Sequence, residues 1–172
     1  MNHPRQMARG LDYEVRPARA ADLAAIQTVA RRSWHKAYAR VFATRVIKNF
    51  LAHSYGAANL RAELANRRAT FLVAWRRGRV LGFCHFGERG GGPELFQLYI
   101  DPDFWGRGIG RRLISHAEMR FLVVGARRYF LTVHRRNTRA ILFYIAMGFT
   151  HDRGRDHRDE WYMAKVLRPA PV

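Results

Sequence analysis

The stretch from Glu94 to Leu113 constrains the fold of this chain more than any other. A short apolar strand ends in Leu98-Tyr99-Ile100, and Pro102 stops it because proline removes a donor from a sheet ladder. Three glycines then follow at alternate positions, and an amphipathic helical pattern begins at once: Gly106, Gly108 and Gly110. The first amides of a helix have no intrahelical partner and lie at the positive end of its dipole. The stretch therefore predicts a turn that binds an anion, and a phosphate in particular.

The spacing of these glycines is G-x-G-x-G, which fits neither of two common nucleotide-binding loops. A Rossmann loop needs the spacing G-x-G-x-x-G and an acidic residue about 20 positions later, and both are missing here. A Walker A loop needs a Gly-Lys-Ser/Thr end, and the turn contains no lysine. Arg107, Arg111 and Arg112 surround the turn with positive charge. Taken alone, the stretch is also compatible with a simple glycine-rich turn whose arginines are solvated.

Length and charge define the class of protein. The 172 residues predict one domain over residues 11–168, a disordered lead over 1–10 and a short tail over 169–172. The 31 basic and 13 acidic residues give a formal charge of +18, which attracts polyanions or reflects a solvated arginine-rich surface.

Cys84 is the only cysteine, so no disulfide forms within one chain. There is no apolar run of membrane-spanning length and no apolar core of a secretory signal, which predicts a cytoplasmic protein.

Apolar periodicity predicts helices and strands mixed around one sheet, an α/β or α+β fold. Helices are expected over residues 20–38, 42–54 and 57–66, from the glycine turn to Gly125, and from Asn137 to Gly148. Strands are expected over residues 12–16, 70–75, 80–86, 94–100, 129–133 and 161–167. Residues 88–93, with three successive glycines, are predicted to form a flexible loop. No repeat or linker divides the chain.

Asn137 and Tyr144 lie seven residues apart and therefore share one face of the last helix. Asn137 is a suitable N-cap, and Tyr144 on an apolar face is commonly a core residue whose hydroxyl is satisfied. This helix follows the strand expected beside the glycine turn, so Tyr144 can also point toward whatever the phosphates carry.

With these residues together, the chain resembles the GCN5-related N-acetyltransferase (GNAT) family. The resemblance rests on Leu95–Leu113 and on the pattern N-x-x-A-x-x-F-Y-x-x-x-G-F from Asn137 to Phe149, and it extends over residues 12–167. The first helices, with Ser33-Trp34, Asn49-Phe50-Leu51 and the Glu63-Leu64 segment, are similar to the polyamine-type branch. The resemblance implies one domain with a central mixed, mostly antiparallel sheet of six or seven strands, flanked by helices.

The resemblance also implies acetyl-CoA as donor and a primary amine, of a small molecule or a protein, as acceptor by direct attack. The pyrophosphate would lie on the turn amides: Gly106, Arg107, Gly108, Ile109, Gly110 and Arg111. Backbone groups of Leu98, Tyr99 and Ile100 would pair with the pantetheine arm, and Asn137 would contact the same arm. Tyr144 would bind there too and would protonate the departing thiolate. The family usually has Gln or Arg where this chain has Trp105, and we expect this to change the rim of the site.

Glu94 opens the central strand, where some members of the family carry a glutamate that acts as general base directly or through water, so the resemblance makes it the candidate base. It can equally be a surface glutamate paired with an arginine. Cys84 has no evident activating neighbour except His85, and no metal-ligand spacing is present, so neither a covalent cysteine route nor a metal is expected. The net charge favours neutral or anionic amines over polyamines. Two other functions remain open: a basic nucleic-acid-associated module and a non-catalytic acyl-CoA-binding relative. A homodimer is plausible and no membrane association is expected.

Overall fold

The structure is a computed structural model that describes residues 11–168. The predicted lead and tail, residues 1–10 and 169–172, lie outside the described residues. The helices are α1 (Leu23–Tyr38), α2 (Thr44–Ser54), α3 (Ala57–Ala65), α4 (Ile109–Val123) and α5 (Thr138–Ala146). The strands are β1 (Glu14–Pro17), β2 (Ala69–Arg76), β3 (Arg79–Arg89), β4 (Gly92–Ile100), β5 (Arg128–His134), β6 (Thr150–His151) and β7 (Glu160–Val166).

The seven strands form one sheet in the order β1-β2-β3-β4-β5-β7-β6. All neighbouring strands are antiparallel except β4 and β5, which are parallel. The predicted fold class, a mixed and mostly antiparallel sheet flanked by helices, is therefore confirmed.

Two hairpins extend the centre of the sheet. The β2–β3 turn consists of Arg77 and Gly78, both with positive φ (45° and 81°), which matches the right-handed twist of the strands. The β3–β4 pairing continues to Arg89 opposite Gly92, so only Gly90 and Gly91 lie in that turn. The predicted flexible loop over residues 88–93 is thus wrong, because ladder pairing extends into the glycine-rich segment.

Each face of the sheet covers its own hydrophobic core. On one face, α4 and α5 contribute Ile109, Leu113, Ile114 and Ile141 to a cluster with Leu131 and Met163. On the other face, α1 and α3 contribute Ile26, Val29 and Leu60 to a cluster with Val73 and Phe83. A fully buried aliphatic or aromatic side chain of this kind contributes about 1.5–3 kcal/mol. The two cores hold β4 rigidly between them, and β4 is the strand on which the site is built.

Candidate active site

Strands β4 and β5 meet at one end and then separate. Among the described residues, only Glu94 and Phe130 pair between β4 and β5. Every other two neighbouring strands are joined by at least two residue pairs. The edge of β4 from Leu95 to Ile100 therefore has no strand partner on the side of β5. Unpaired backbone groups on such an edge are available to an extended ligand.

Alternation along β4 decides which backbone groups face this gap. The amide of Asp101 donates to the carbonyl of Leu81 in β3, at 2.8 Å. Because residues two apart point the same way, Tyr99 also faces β3, whereas Leu98 and Ile100 face the gap. The sequence predicted that backbone groups of Leu98, Tyr99 and Ile100 would pair with the donor's pantetheine arm. Because the backbone groups of Tyr99 are used within the sheet, only Leu98 and Ile100 face the gap. The carbonyl of Ile100 already accepts from Ser33 Oγ (2.8 Å) and Trp105 Nε1 (2.9 Å).

The glycine turn presents free amides, as the sequence predicts. Gly106 and Gly108 have φ values of 75° and 77°, in the left-handed region that glycine adopts without strain. Gly108 is the N-cap of α4, and its carbonyl accepts from Arg112. Within the described part of the chain, no backbone bond uses the amides of residues 106–111 as donors. These amides and the positive end of the α4 dipole suit a phosphate group.

A buried carboxylate fixes the start of this turn. Asp101 is only 2 % exposed and accepts from the amide of Asp103 at 3.1 Å. It also pairs with Arg32 (3.2 Å) and Arg79 (2.8 Å), which come from α1 and from the β2–β3 hairpin. A buried charge is stable only when it is paired and hydrogen-bonded. Asp101 therefore ties the turn to two other elements and holds its geometry.

Asn137 caps α5 as predicted, and it also connects α5 to α1. Its Oδ1 accepts from the amide of Ala140 at 3.2 Å, and its Nδ2 donates to the Tyr38 hydroxyl at 3.0 Å. Burial raises the pKa of Tyr38 to about 12, so this hydroxyl stays protonated at neutral pH. The contact joins residues 99 positions apart in the chain, and nothing in the local sequence pattern predicts it.

Tyr144 lies on the inner face of α5 and is 8 % exposed. Its ring contacts Phe143 and Phe149 edge-on, at centroid distances of 5.4 and 5.5 Å. Among the side-chain bonds of the described residues, none involves its hydroxyl. Burial raises the pKa of Tyr144 well above its ordinary value, so the group remains a proton donor at neutral pH.

A single cavity of about 670 Å³ brings these features together. Its lining includes ten residues that the sequence indicates: Leu98, Tyr99, Ile100, Gly106, Gly108, Ile109, Gly110, Arg111, Asn137 and Tyr144. Two predicted residues do not line it. The guanidinium of Arg107 lies 5.8 Å from the centre of the Phe104 ring, and Glu94 lies at the closed end of the gap, opposite Phe130.

The cavity also contains residues that the sequence did not indicate. Ser33 and Tyr38 come from α1, and Arg136 and Arg139 lie at the start of α5. The Arg139 guanidinium lies 4.1 Å from the centre of the Trp105 ring, a cation–π contact. Trp105 thus holds a positive charge beside the glycine turn, at the position where we expected an altered rim.

Glu94 is partly buried, and the burial raises its pKa. The charge of Arg89 opposes this shift, and the charge of Glu160 adds to it. A carboxylate with a raised pKa is a better proton acceptor near neutral pH. Its position where β4 and β5 meet puts it at the closed end of the gap, apart from the free amides of the glycine turn.

Two other side chains that could take part in chemistry, Cys84 and His134, have ordinary structural surroundings. Cys84 is fully buried and burial raises its pKa, which disfavours the reactive thiolate. His134 Nδ1 accepts from the amide of Arg136 at 3.2 Å. Across residues 11–168 no group of three or more potential ligands is arranged to hold a metal ion. None of the helices in that range is long and apolar enough to span a membrane.

Comparison with known proteins agrees with this geometry. Residues 25–149 match the model of the acetyltransferase (GNAT) family. A spermidine N(1)-acetyltransferase of Thermoplasma acidophilum is 28 % identical over 143 residues, which cover 81 % of this chain and 89 % of that protein. A mycothiol acetyltransferase of Geodermatophilus obscurus is 32 % identical over 130 residues, covering 69 % of this chain and 41 % of that protein.

The solved structures include PaiA N-acetyltransferase of Thermoplasma acidophilum in complex with coenzyme A. It superposes with a TM-score of 0.85 at 27 % identity, covering 91 % of this chain and 99 % of that one. The Escherichia coli ribosomal-protein-S18-alanine N-acetyltransferase, at 19 % identity and a TM-score of 0.68, shares the fold. Because the family model spans most of the chain, this protein belongs to the GNAT family of acetyltransferases.

Proposed function

We propose that the protein transfers an acetyl group from acetyl-CoA to a primary amine, with Tyr144 as general acid and Glu94 as general base. The observation that carries this proposal is one cavity that joins an unpaired strand edge, a row of free amides and a buried tyrosine hydroxyl. Each of these features matches one part of a long donor that has phosphates at one end and a thioester at the other.

The donor side follows from the free backbone groups. The amides of residues 106–111 would hold the pyrophosphate, and Arg139 on the Trp105 ring would add a positive charge beside it. The Leu98 amide and carbonyl and the Ile100 amide would bond to the amides of the pantetheine arm, as an added strand does. Asn137 uses its side chain on Ala140 and Tyr38, so it would act on this arm chiefly by positioning α5.

The chemistry requires two proton transfers. The amine nitrogen forms a bond to the thioester carbon, and the carbon–sulfur bond breaks. Glu94 takes the proton that the amine loses, directly or through water. The Tyr144 hydroxyl gives its proton to the departing thiolate, whose conjugate thiol has an ordinary pKa near 8.5. Burial keeps Tyr144 protonated until that step. No covalent enzyme intermediate is needed, in agreement with the buried and unreactive Cys84.

Binding of acetyl-CoA is the first test of this proposal. At a concentration of about 100 times its Kd, the ligand should stabilise the folded protein by about 2.7 kcal/mol, seen as a rise in melting temperature. Acetyl-pantetheine, which lacks the phosphates, should stabilise the protein much less. A melting temperature that millimolar acetyl-CoA leaves unchanged would contradict the proposal.

Turnover separates an enzyme from a protein that only binds acyl-CoA. Free thiol should appear when acetyl-CoA is incubated with a panel of primary amines that includes spermidine, amino acids, aminoglycosides and peptides. Specific binding without thiol release from any amine would instead indicate the non-catalytic relative. Nucleic-acid binding is not favoured, since several arginines are used in ion pairs, among them Arg16, Arg32, Arg79 and Arg135.

The role of Glu94 predicts a specific dependence on pH. Because burial raises its pKa, kcat/KM should fall as the pH is lowered through that raised value and Glu94 becomes protonated. Glu94→Gln should remove this step and lower kcat by about 100-fold, a typical contribution of a general base. The measurement is a pH–rate profile with an amine whose own pKa is low, so that the acceptor does not titrate in the same range.

The Glu94 assignment has a matched control in its neighbour. Glu160 raises the pKa of Glu94 through its charge. Glu160→Gln should therefore move the acid limb of the pH–rate profile to lower pH, and the limb itself should remain. If the limb is the same in Glu94→Gln and the unaltered protein, another group is the base.

A further inference from the structure

Three tyrosines line the cavity, and the proposed reaction uses only one of their hydroxyls. Tyr38 of α1 and Tyr99 of β4 contribute to the same cavity wall as Tyr144 of α5. Burial, and after it the proximity of Tyr99 and Tyr38, raises the pKa of Tyr144. Tyr38 and Tyr99 are also joined through Trp34, whose ring lies 4.5 Å from the Tyr38 ring and whose Nε1 lies 3.0 Å from the Tyr99 hydroxyl. The three tyrosines are therefore neighbours within one cavity.

The hydrogen-bond partners of Tyr38 and Tyr99 show how their hydroxyls are used. The partner of Tyr99 is Trp34 Nε1, and an indole nitrogen can only donate. The partner of Tyr38 is Asn137 Nδ2, at 3.0 Å. Because the other end of that amide, Oδ1, accepts from the amide of Ala140, the nitrogen is the group that faces Tyr38. Both hydroxyl oxygens therefore accept a bond, and both protons are left to be donated.

Neither of these two protons is donated to another group among residues 11–168. The ring of Tyr55 lies 6.0 Å from that of Tyr99, and the buried Tyr55 hydroxyl lacks a partner in the same range. Burial raises the pKa of Tyr38 to about 12 and also raises the pKa of Tyr99, so both groups are neutral at pH 7. A hydroxyl that accepts one bond is polarised and donates a stronger one. Tyr38 and Tyr99 are therefore oriented hydrogen-bond donors in the cavity wall.

These two donors lie on the side of the gap opposite Tyr144. Tyr99 packs against the core on the α1 and α3 face of the sheet, and Tyr38 belongs to α1 itself. Tyr144 belongs to the core on the α4 and α5 face. The sulfur and the carbonyl oxygen of a thioester are bonded to one carbon. A thioester in the gap can therefore meet Tyr144 at sulfur and the other two tyrosines at oxygen.

We propose that the hydroxyls of Tyr38 and Tyr99 form an oxyanion site for the carbonyl oxygen of the thioester. In the proposed complex, the amides of Leu98 and Ile100 bond to the pantetheine arm, and those of residues 106–111 hold the pyrophosphate. The carbonyl oxygen is then left without a backbone donor from β4 or the turn. This inference rests on the proposed acetyl transfer and adds two catalytic residues to it.

The two hydroxyls act without losing their protons. As the amine nitrogen bonds to the thioester carbon, an electron pair of the carbonyl moves onto oxygen, and both O–H groups donate to the negative charge. When the carbon–sulfur bond breaks, that pair re-forms the carbonyl of the amide product, and sulfur takes its proton from Tyr144. Fixed donors stabilise a developing charge well, because they do not have to reorganise during the reaction. Trp34 and Asn137 are positioning residues, since each orients one donor.

Phenylalanine substitutions test the two donors separately. Tyr99→Phe and Tyr38→Phe should each lower kcat by about 100-fold, the lower end of the effect of losing one oxyanion donor. The measurement is single-turnover acetyl transfer by the full chain to the most active amine of the panel. The Kd for coenzyme A, which has no acetyl carbonyl, should remain unchanged. A normal kcat in both variants would overturn the inference, and either variant suffices if the other does not fold.

Tyr55→Phe is the matched control. It removes a buried hydroxyl beside Tyr99 from a residue outside the cavity lining, and kcat should not change. A loss equal to that of Tyr99→Phe would mean that Tyr55 holds the Tyr99 proton, which contradicts the oxyanion site. Trp34→Phe should lower kcat several-fold in the unaltered chain and have no further effect in Tyr99→Phe, because Trp34 acts through Tyr99.

Infrared spectroscopy reads the site without turnover. The carbonyl stretch of acetyl-CoA, isotopically labelled at that carbon, should move to lower wavenumber on binding, because the two donors polarise the bond. Tyr38→Phe and Tyr99→Phe should each reverse part of this shift, whereas Tyr55→Phe and Tyr144→Phe should retain it. A shift that survives in both donor variants would overturn the inference even if their rates fall, since the loss of rate would then be structural.

The two readouts separate this inference from the proposed reaction. If an amine is acetylated while Tyr38→Phe and Tyr99→Phe keep both the rate and the infrared shift, the oxyanion site fails and the proposed function stands. If the shift depends on both tyrosines but no amine is acetylated, the proposed function fails and the binding site for the carbonyl oxygen stands.

Discussion

Replacement of Tyr144 by phenylalanine should lower kcat by about 100- to 1,000-fold, the usual contribution of a general acid. The change removes one hydroxyl that has no hydrogen bond among the described side chains, so the fold and the Kd for coenzyme A should change little. The leaving thiolate then has to take its proton from water. The measurements are single-turnover acetyl transfer and calorimetric binding of coenzyme A.

Tyr129→Phe is the matched control for this result. Tyr129 is also a buried tyrosine, but its hydroxyl donates to Glu118 at 2.6 Å on a strand outside the cavity lining. Loss of that bond should cost stability without a comparable loss of rate. A Tyr144→Phe variant with normal turnover would mean that the proton reaches sulfur by another route.

Gly108→Val should weaken coenzyme A binding by about 30-fold, which is the loss of about 2 kcal/mol from hydrogen bonds to a charged group. Gly108 has a φ of 77°, and an ideal Cβ there meets no atom within 4 Å. The cost therefore arises from the backbone conformation, which a β-branched residue avoids. The turn amides would move away from the pyrophosphate, and calorimetry measures the change in affinity.

The chain offers a control with the same backbone strain at a residue outside the cavity lining. Gly78, in the β2–β3 turn, has a φ of 81° and also no atom within 4 Å of an ideal Cβ. Gly78→Val should lower the free energy of unfolding by a similar amount, about 1–2 kcal/mol, and leave coenzyme A binding unchanged. Equal affinities in the two variants would show that the turn does not hold the phosphates.

The parts that sequence predicted correctly depend on neighbouring residues. The strand–turn–helix from Glu94 to Leu113 and the Asn137 cap follow from local backbone chemistry, which spacing along the chain displays. The wrong loop at residues 88–93 shows the limit of such rules, because three glycines indicate flexibility only when no sheet pairs with them. Ladder pairing with a partner strand overrides the local preference.

The parts that sequence missed depend on contacts between distant residues. Ser33 reaches Ile100, and Tyr38 reaches Asn137, across 67 and 99 positions. The Glu63–His85 approach similarly joins α3 to β3. Periodicity places each of these residues on a helix face or strand face, but it does not say which faces meet.

The carbonyl oxygen of Ile100 accepts two hydrogen bonds, and this limits where a bound donor can pair along β4. A carbonyl oxygen has two lone pairs, and Ser33 and Trp105 use both. An extended arm that pairs with β4 can accept from the Ile100 amide but finds no acceptor beyond it, so its register has a fixed end. Ser33 and Trp105 would thereby fix the position along β4 at which pairing with a bound donor ends.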